Sequence, residues 1–113
     1  MTKKLYLDDI RVPSADDFIV VRSFEEAVKF IEDFGIPSYI SFDHDLGCDE
    51  KGNIFKSGYD FARYLVECDL DNIATFPTNF TFNIHSANPV GKQNIESLLS
   101  SYLRFKKLTK INL

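Results

Sequence analysis

Carboxylates and imidazoles follow three apolar segments of the sequence, each at the point where the segment ends. The set comprises Asp8, Asp9, Asp43, His44, Asp45 and His85. Two like charges about 4 Å apart repel by roughly 4 kcal/mol at an effective dielectric of about 20, so gathered carboxylates need a cation or shared protons. Oxygen ligands favour Mg²⁺, and adjacent imidazoles make Mn²⁺ or another transition ion competitive. Such a group supports phosphoryl transfer or phosphoester hydrolysis, in which a metal neutralises phosphate oxygens and an imidazole moves a proton.

This chemistry requires elements that bring the segment ends together. Apolar, β-branched runs predict five strands, at 4–7, 18–22, 39–43, 80–85 and 108–113. Three helices are predicted between them, with Ser23, Ser57 and Asn88 as their cap residues. The first helix ends at Gly35, and the second covers about residues 58–68.

The alternation of strands and helices from the second strand onward predicts a mostly parallel α/β sheet. The carboxyl ends of parallel strands meet at one edge of the sheet, where ligands bind. We therefore expect Asp8 and Asp9, the segment 43–45, and His85 and Ser86 to lie at the same edge. Only residues 10–17 connect the first two strands, which is short for a parallel crossover. Either this loop is unusual, or the second strand is an antiparallel edge strand.

Length and composition limit the class of protein. The 113 residues, 44% of them hydrophobic and 27% charged, predict a single globular domain over 1–113. The apolar stretches are too short to span a membrane, and the start MTKKLYLDD does not form a signal sequence, so we expect a cytoplasmic protein without membrane contact. The net charge of −4 argues against binding to duplex nucleic acid. Cys48 and Cys68 lack the CxxC spacing of a zinc site and are expected to be free thiols.

Four motifs, LYLDDIRVP, SFDHDLG, SGYDFARYL and HSANPVGKQNI, occur in this order along nearly the whole chain. Together they resemble the cyclic-phosphate processing receiver domain, a family derived from response-regulator receivers with added histidines. The resemblance implies a flavodoxin-like fold and an activity on cyclic phosphates. It also implies that Asp8 and Asp9 form a metal pair, that Asp43 occupies the phosphoacceptor position, and that Ser86 contacts the phosphoryl group.

The sequence departs from an ordinary receiver at three places. The lysine expected at the end of the fifth strand has no clear counterpart, although Lys92 or Arg11 could substitute. The segment IRVPSADD replaces the first helix, and the chain stops before a fifth helix. Helices should therefore cover mainly one face of the sheet. We expect the other face to be wet or covered by a second copy of the chain, and its predicted residues are Tyr6, Tyr39, Ser41, Thr81 and Asn83.

These observations favour a metal-dependent phosphoesterase acting on a cyclic or terminal phosphate of a small nucleotide-like or RNA-end substrate. The predicted metal ligands are Asp8, Asp9, Asp43 and Asp45, and the predicted catalytic residues are Asp43, His44, His85 and Ser86. The predicted substrate contacts are Arg11, Asn88, Gly91 and Lys92. In this hypothesis Asn88 either caps its helix or contacts substrate, Gly91 admits a close backbone approach, and Lys92 in the first helical turn suits a phosphate.

Two other functions fit the same residues. The chain could be a non-enzymatic module that recognises a phosphorylated ligand or protein partner. Phosphoaspartate signalling through Asp43 ranks below both, because the lysine and the helices that ordinary receivers use are missing.

Overall fold

The computed structural model describes the backbone of residues 4–111 and the side chains of residues 4–108. Its strands are β1 (Lys4–Leu7), β2 (Phe18–Val21), β3 (Tyr39–Phe42) and β4 (Thr81–Ile84). Its helices are α1 (Phe24–Phe34), α2 (Gly58–Leu70) and α3 (Pro89–Ile111). The strands form one sheet in the order β2-β1-β3-β4. All three pairings are parallel, which confirms the predicted class of sheet.

The second strand is a parallel edge strand, so the alternative of an antiparallel edge is excluded. Its residues pair one for one with β1, from Lys4 with Phe18 to Leu7 with Val21. The intervening loop makes this return without a helix, and an ion pair of 3.0 Å between Lys4 Nζ and Asp17 Oδ2 joins the start of β1 to the end of this loop. Of the two alternatives, the unusual loop is therefore the correct one, because residues 10–17 connect two parallel strands without a helix.

The hydrophobic core lies on one face of the sheet. Leu5, Leu7, Ile40 and Phe42 alternate along the central strands and are fully buried. All three helices contribute to the same core, and their buried residues are Ala27, Phe30 and Ile31 from α1, Phe61, Ala62 and Leu65 from α2, and Ile95 and Leu99 from α3. On the opposite face Tyr6 and Ser41 are buried, whereas Thr81 and Asn83 are exposed. The prediction that helices cover mainly one face is confirmed for the described residues.

The predicted caps form as expected. The Ser23 hydroxyl accepts a hydrogen bond from the N–H of Glu26, and Ser57 forms a reciprocal capping box with Asp60. At the start of α3 the side-chain oxygen of Asn88 accepts a hydrogen bond from the N–H of Gly91 at 3.0 Å. The loops that precede α2 and α3 therefore end at capped helix amino termini beside the carboxyl edge of the sheet.

The predicted fifth strand at 108–113 is wrong for residues 108–111, which continue α3, and residues 112–113 lie outside the described part of the chain. Tyr102 and Lys106, one helical turn apart, both donate hydrogen bonds to the carboxylate of Asp69 near the end of α2. This contact holds the second half of α3 as a helix against α2. The sheet accordingly has four strands among the residues that the structure describes.

Replacing Asp69 with alanine should lower the free energy of unfolding by about 1–3 kcal/mol, because the half-buried partners Tyr102 and Lys106 lose their acceptor. Burial acts to raise the pKa of Asp69, but Lys106 and Tyr102 lower it below its ordinary value. The loss should therefore be present at neutral pH and disappear as the pH falls through the folded pKa.

Urea unfolding at several pH values measures this effect. Asp33→Ala is the matched control, because Asp33 pairs with Lys29 across one turn of α1 at an exposed position. An equal loss in both variants would contradict the assigned role of Asp69.

Candidate functional site

Strand register places three titratable residues in one row. Leu7 pairs with Phe42, and Phe42 pairs with Ile84, so the next residue of each strand emerges at the carboxyl edge beside the others. These residues are Asp8, Asp43 and His85. Backbone hydrogen bonds of 2.9 Å continue the pairing across them, from Asp43 N to Leu7 O and from His85 N to Phe42 O. One potential ligand atom from each of the three lies within 4.8 Å of the other two.

Both ring nitrogens of His85 are held by the protein. Nε2 lies 3.0 Å from Asp8 Oδ2, and Nδ1 lies 2.7 Å from the hydroxyl oxygen of Ser41. The ring stacks on Tyr6 with a centroid distance of 4.4 Å and an interplanar angle of 3°. The imidazole is thus fixed in position and plane by groups on the face of the sheet opposite the helices.

Asp8 is the most enclosed carboxylate of the site, with 1% of its surface exposed. Its Oδ1 accepts hydrogen bonds from the backbone N–H groups of Ile10 and Arg11, at 2.9 and 2.8 Å. Burial acts to raise the pKa of Asp8, but these two donors and His85 outweigh burial and lower it. Asp8 is therefore an ionised group at neutral pH.

Asp43 has the opposite electrostatic balance. Burial raises its pKa above the ordinary value, the negative charge of Asp8 raises it further, and hydrogen bonds from the His44 N–H and the Ser86 hydroxyl lower it by less. The bond from His44 N to Asp43 Oδ1 measures 2.8 Å. A proton or a cation beside Asp43 would relieve the repulsion from Asp8.

His44 and Asp45 form a second pair next to this row. Nδ1 of His44 lies 2.9 Å from Asp45 Oδ1, and the Asn88 amide donates to the two carboxylate oxygens at 3.4 and 3.3 Å. The His44 contact is the largest influence on Asp45 and lowers its pKa, so the carboxylate is ionised. A carboxylate only accepts hydrogen bonds, so Nδ1 carries the proton. In the neutral ring Nε2 is then the nitrogen that can accept a proton.

Two glycines allow the helix starts to approach this segment. A Cβ atom on Gly58 would lie 1.8 Å from the carbonyl oxygen of Asp43, and the Gly58 N–H donates to the carbonyl of His44 at 2.8 Å. A Cβ atom on Gly91 would lie 2.3 Å from Cγ of His44. The space beside Gly91, predicted to admit a substrate, is filled by the His44 ring.

The remaining predicted residues are spread around the row. Asp9 lies against Gly47, where an added Cβ would be 3.4 Å from Asp9 Oδ2. Within residues 4–108 neither Asp9 nor Asp45 belongs to the group of three potential ligands, so the structure brings together a different set from the four carboxylates predicted. Lys92 is exposed in the first turn of α3.

Arginine side chains tie the loop after β1 to its neighbours. Arg11 Nη1 donates to the carbonyl of His85 at 3.1 Å, and Arg11 Nε lies 3.9 Å from Asp8 Oδ2. Arg22 Nη1 donates to the carbonyls of Asp8 and Arg11 at 3.1 and 2.5 Å. Arg11 remains half exposed, so its guanidinium is accessible beside the row of acids.

Sequence reasoning did not assign Tyr6 and Ser41 to the site. Both precede a site residue by two positions, Tyr6 before Asp8 and Ser41 before Asp43. Side chains two apart on a strand point to the same face, so this spacing was the available signal. The roles of Arg22 and Gly58 depend on contacts distant in sequence and had no comparable signal.

A known protein family matches most of this chain. The family described as "Cyclic-phosphate processing Receiver domain" matches residues 3–101. The chain belongs to this family. No curated protein matches the chain significantly. A solved fusion protein that carries the trimeric coiled coil of yeast Spc42 is similar in structure, with a TM-score of 0.51 and 15% identity over 96% of this chain and 83% of that chain. At this identity the likeness concerns the fold alone.

Membership in the receiver family also bears on the missing lysine. The expected fifth strand, at whose end an ordinary receiver carries it, is not among the strands of the described residues. Arg11 and Arg22, which both contact the segment after β1, and Lys92, on α3, are among the described cations around the carboxyl edge. In the described part of the chain no helix combines the length and the hydrophobicity needed to cross a membrane.

Replacing the two buried carboxylates by amides should change stability in opposite directions. Asp8→Asn removes a group whose pKa is lowered on folding, so the free energy of unfolding should fall at neutral pH. Asp43→Asn removes a group whose pKa is raised on folding, so the free energy of unfolding should rise. The contribution of Asp8 should be lost as the pH falls through its folded pKa. The penalty from Asp43 should be relieved as the pH falls through its own folded pKa, which is above the ordinary value.

Urea unfolding of both variants in EDTA, from neutral to acidic pH, tests these signs. Asp33→Asn, an exposed acid on α1, serves as the control and should change stability little. An Asp43→Asn protein less stable than the wild type at neutral pH would contradict this account of the electrostatics.

Proposed function

We propose that this chain is a metal-dependent phosphoesterase that opens or hydrolyses a cyclic or terminal phosphate of a nucleotide-like or RNA-end substrate. The observation that carries the proposal is the row of Asp8, Asp43 and His85, whose potential ligand atoms lie within 4.8 Å of one another. The His44–Asp45 pair directly follows this row in the chain. Membership in a cyclic-phosphate processing family supports the substrate class.

The donor set of the row suits a divalent cation. Asp8 and Asp43 offer carboxylate oxygens, and His85 offers an imidazole nitrogen, a combination that makes Mn²⁺ or another transition ion competitive with Mg²⁺. The raised pKa of Asp43 supports the assignment, because an added positive charge would offset its burial and the neighbouring charge of Asp8. When bound, such a cation would supply charge neutralisation for phosphate oxygens.

His44 is assigned the proton transfer. Its Nε2 would accept a proton from the attacking water as the new phosphorus–oxygen bond forms. The same nitrogen would return that proton to the oxygen that leaves when the phosphoester bond breaks, so one water is added and a ring-opened phosphate results. Asp45, 2.9 Å from Nδ1, would hold the ring and stabilise its protonated form.

His85 receives a different assignment from the acid/base part first expected. Ser41 and Asp8 occupy its two nitrogens, so we assign His85 to the cation: Nδ1 would stay with Ser41, and Nε2 would exchange its contact with Asp8 for the cation. A hydrogen-bonded second nitrogen is typical of metal-binding histidines. The exposed guanidinium of Arg11 is an assigned phosphate contact, as is the hydroxyl of Ser86, which would turn from Asp43 to the phosphate; Lys92 is a further cation for the same ligand.

One observation favours the competing function of a binding module. Asp8 is 1% exposed and already accepts hydrogen bonds at both oxygens, so a cation would have to replace the contact with His85. If that contact persists, Arg11 and Ser86 could bind a phosphorylated ligand without any turnover.

Cyclic nucleotides and oligonucleotides with 2′,3′-cyclic ends, incubated with Mn²⁺, Mg²⁺ or EDTA, test the proposal. We expect turnover that EDTA abolishes and that His44→Ala reduces by about 10²–10⁴-fold, with Mn²⁺ binding retained. Asp43→Asn and His85→Ala should weaken Mn²⁺ binding in calorimetry. Asp33→Asn, which removes an exposed acid of α1, should leave both properties unchanged.

The alternatives give distinct results in the same assays. Turnover that persists in EDTA, or Mn²⁺ affinity unchanged by Asp43→Asn, would refute the metal assignment. Ligand binding without turnover in any metal would support the module. A stable acyl phosphate on Asp43 after treatment with acetyl phosphate would support signalling.

A further inference from the structure

The first turn of α3 contacts both members of the His44–Asp45 pair. The side-chain oxygen of Asn88 accepts the Gly91 N–H at 3.0 Å, while its amide nitrogen lies 3.3 Å from Asp45 Oδ2. One side chain therefore caps α3 and holds the carboxylate that binds His44. An ionised carboxylate beside the amino end of a helix is also favoured by the helix dipole.

Gly91 contacts the other member of the pair. A Cβ atom at this position would lie 2.3, 2.5 and 2.7 Å from Cγ, Cδ2 and Nδ1 of His44. All three distances are shorter than those at which Cβ atoms approach other heavy atoms in folded proteins. The ring cannot tilt away without moving Nδ1, which is bound to Asp45 at 2.9 Å. The backbone of Gly91 thus lies directly against the His44 ring. Any larger residue at position 91 would displace the ring.

We infer that Asn88 and Gly91 are positioning residues that act through His44 rather than contacts to the substrate. Asn88 holds Asp45, which keeps the proton on Nδ1, and Gly91 sets the place of the ring. Together they present Nε2 as the basic nitrogen. The assignment of a reaction to Nε2 rests on the proposed function, whereas the positioning itself rests on the contacts alone.

A double-mutant cycle tests the role of Gly91 without an assay of activity. Gly91→Ala should lower the urea midpoint of the wild-type protein, because the methyl group meets the His44 ring. In a His44→Ala background the same substitution should raise the midpoint, because the ring is gone and alanine is the better helix former. Asn94→Ala, at an exposed position of α3, should shift the midpoint equally in both backgrounds. A Gly91→Ala shift of the same sign and size in both backgrounds would overturn the inference.

The role of Asn88 is tested with Asn88→Ser, since serine caps helices about as well as asparagine but lacks the amide donor. ¹H–¹⁵N NMR of the His44 ring should show the Nδ1–H form dominant in the wild type and reduced in Asn88→Ser. The helix should keep its circular dichroism signal. An unchanged tautomer in this variant would overturn the role of Asn88.

Kinetics separates this inference from the proposed function. If the chain turns over a cyclic phosphate, Gly91→Ala should lower kcat on the order of 10²-fold with KM little changed, because the ring is displaced while substrate contacts remain. A rise in KM at constant kcat would instead indicate that Gly91 contacts the substrate. That result would overturn the inference. If the wild type shows no turnover while the cycle and the tautomer behave as expected, the proposed function fails and the positioning stands.

Discussion

The register of the adjacent strands β1, β3 and β4 is the constraint on which the site depends. Hydrogen bonding aligns Leu7, Phe42 and Ile84, so the residues that follow them must emerge side by side at one edge. The apolar side chains of the aligned row pack among the helices, and alternation turns the next side chains toward the opposite face. A one-residue shift of any of these strands would exchange the two faces and scatter the acids.

The site has two layers with different surroundings. The inner layer consists of Asp8, Asp43 and His85, buried or nearly so and supported by Tyr6 and Ser41 on the face without helices. The outer layer is the His44–Asp45 pair, which lies against the first turn of α3 and is more exposed. The potential cation ligands therefore belong to the inner layer, and the imidazole assigned to proton transfer belongs to the outer one.

Sequence patterns predicted the parallel sheet, the helix caps and the edge at which the acids meet, because these follow from local periodicity and from the geometry of parallel strands. The sequence did not predict which residues form the group of potential cation ligands. Asp9 and Asp45 are aspartates like Asp8 and Asp43, and only three-dimensional contacts show that Asp45 faces Asn88 and that Asp9 lies beside Gly47.

The error at the end of the chain has a similar origin. Residues 108–113 have a strand-like sequence, but Tyr102 and Lys106 bind Asp69, which is more than thirty residues earlier, and α3 continues. A contact between residues so far apart cannot be predicted from a short stretch of the sequence. The sequence predicts that Gly91 leaves space for a ligand, because a missing side chain does not reveal that the His44 ring lies there.

The length of α3 links two distant parts of the molecule. Its 23 residues correspond to about 35 Å of helix, with the amino end against His44 and the second half fastened to the end of α2 through Asp69. The helix is therefore held at its amino end and in its second half, so one continuous helix connects the two contacts. A force that tilts the far end, whether from a neighbouring segment or from a docked molecule, would be felt as a change of angle at the imidazole.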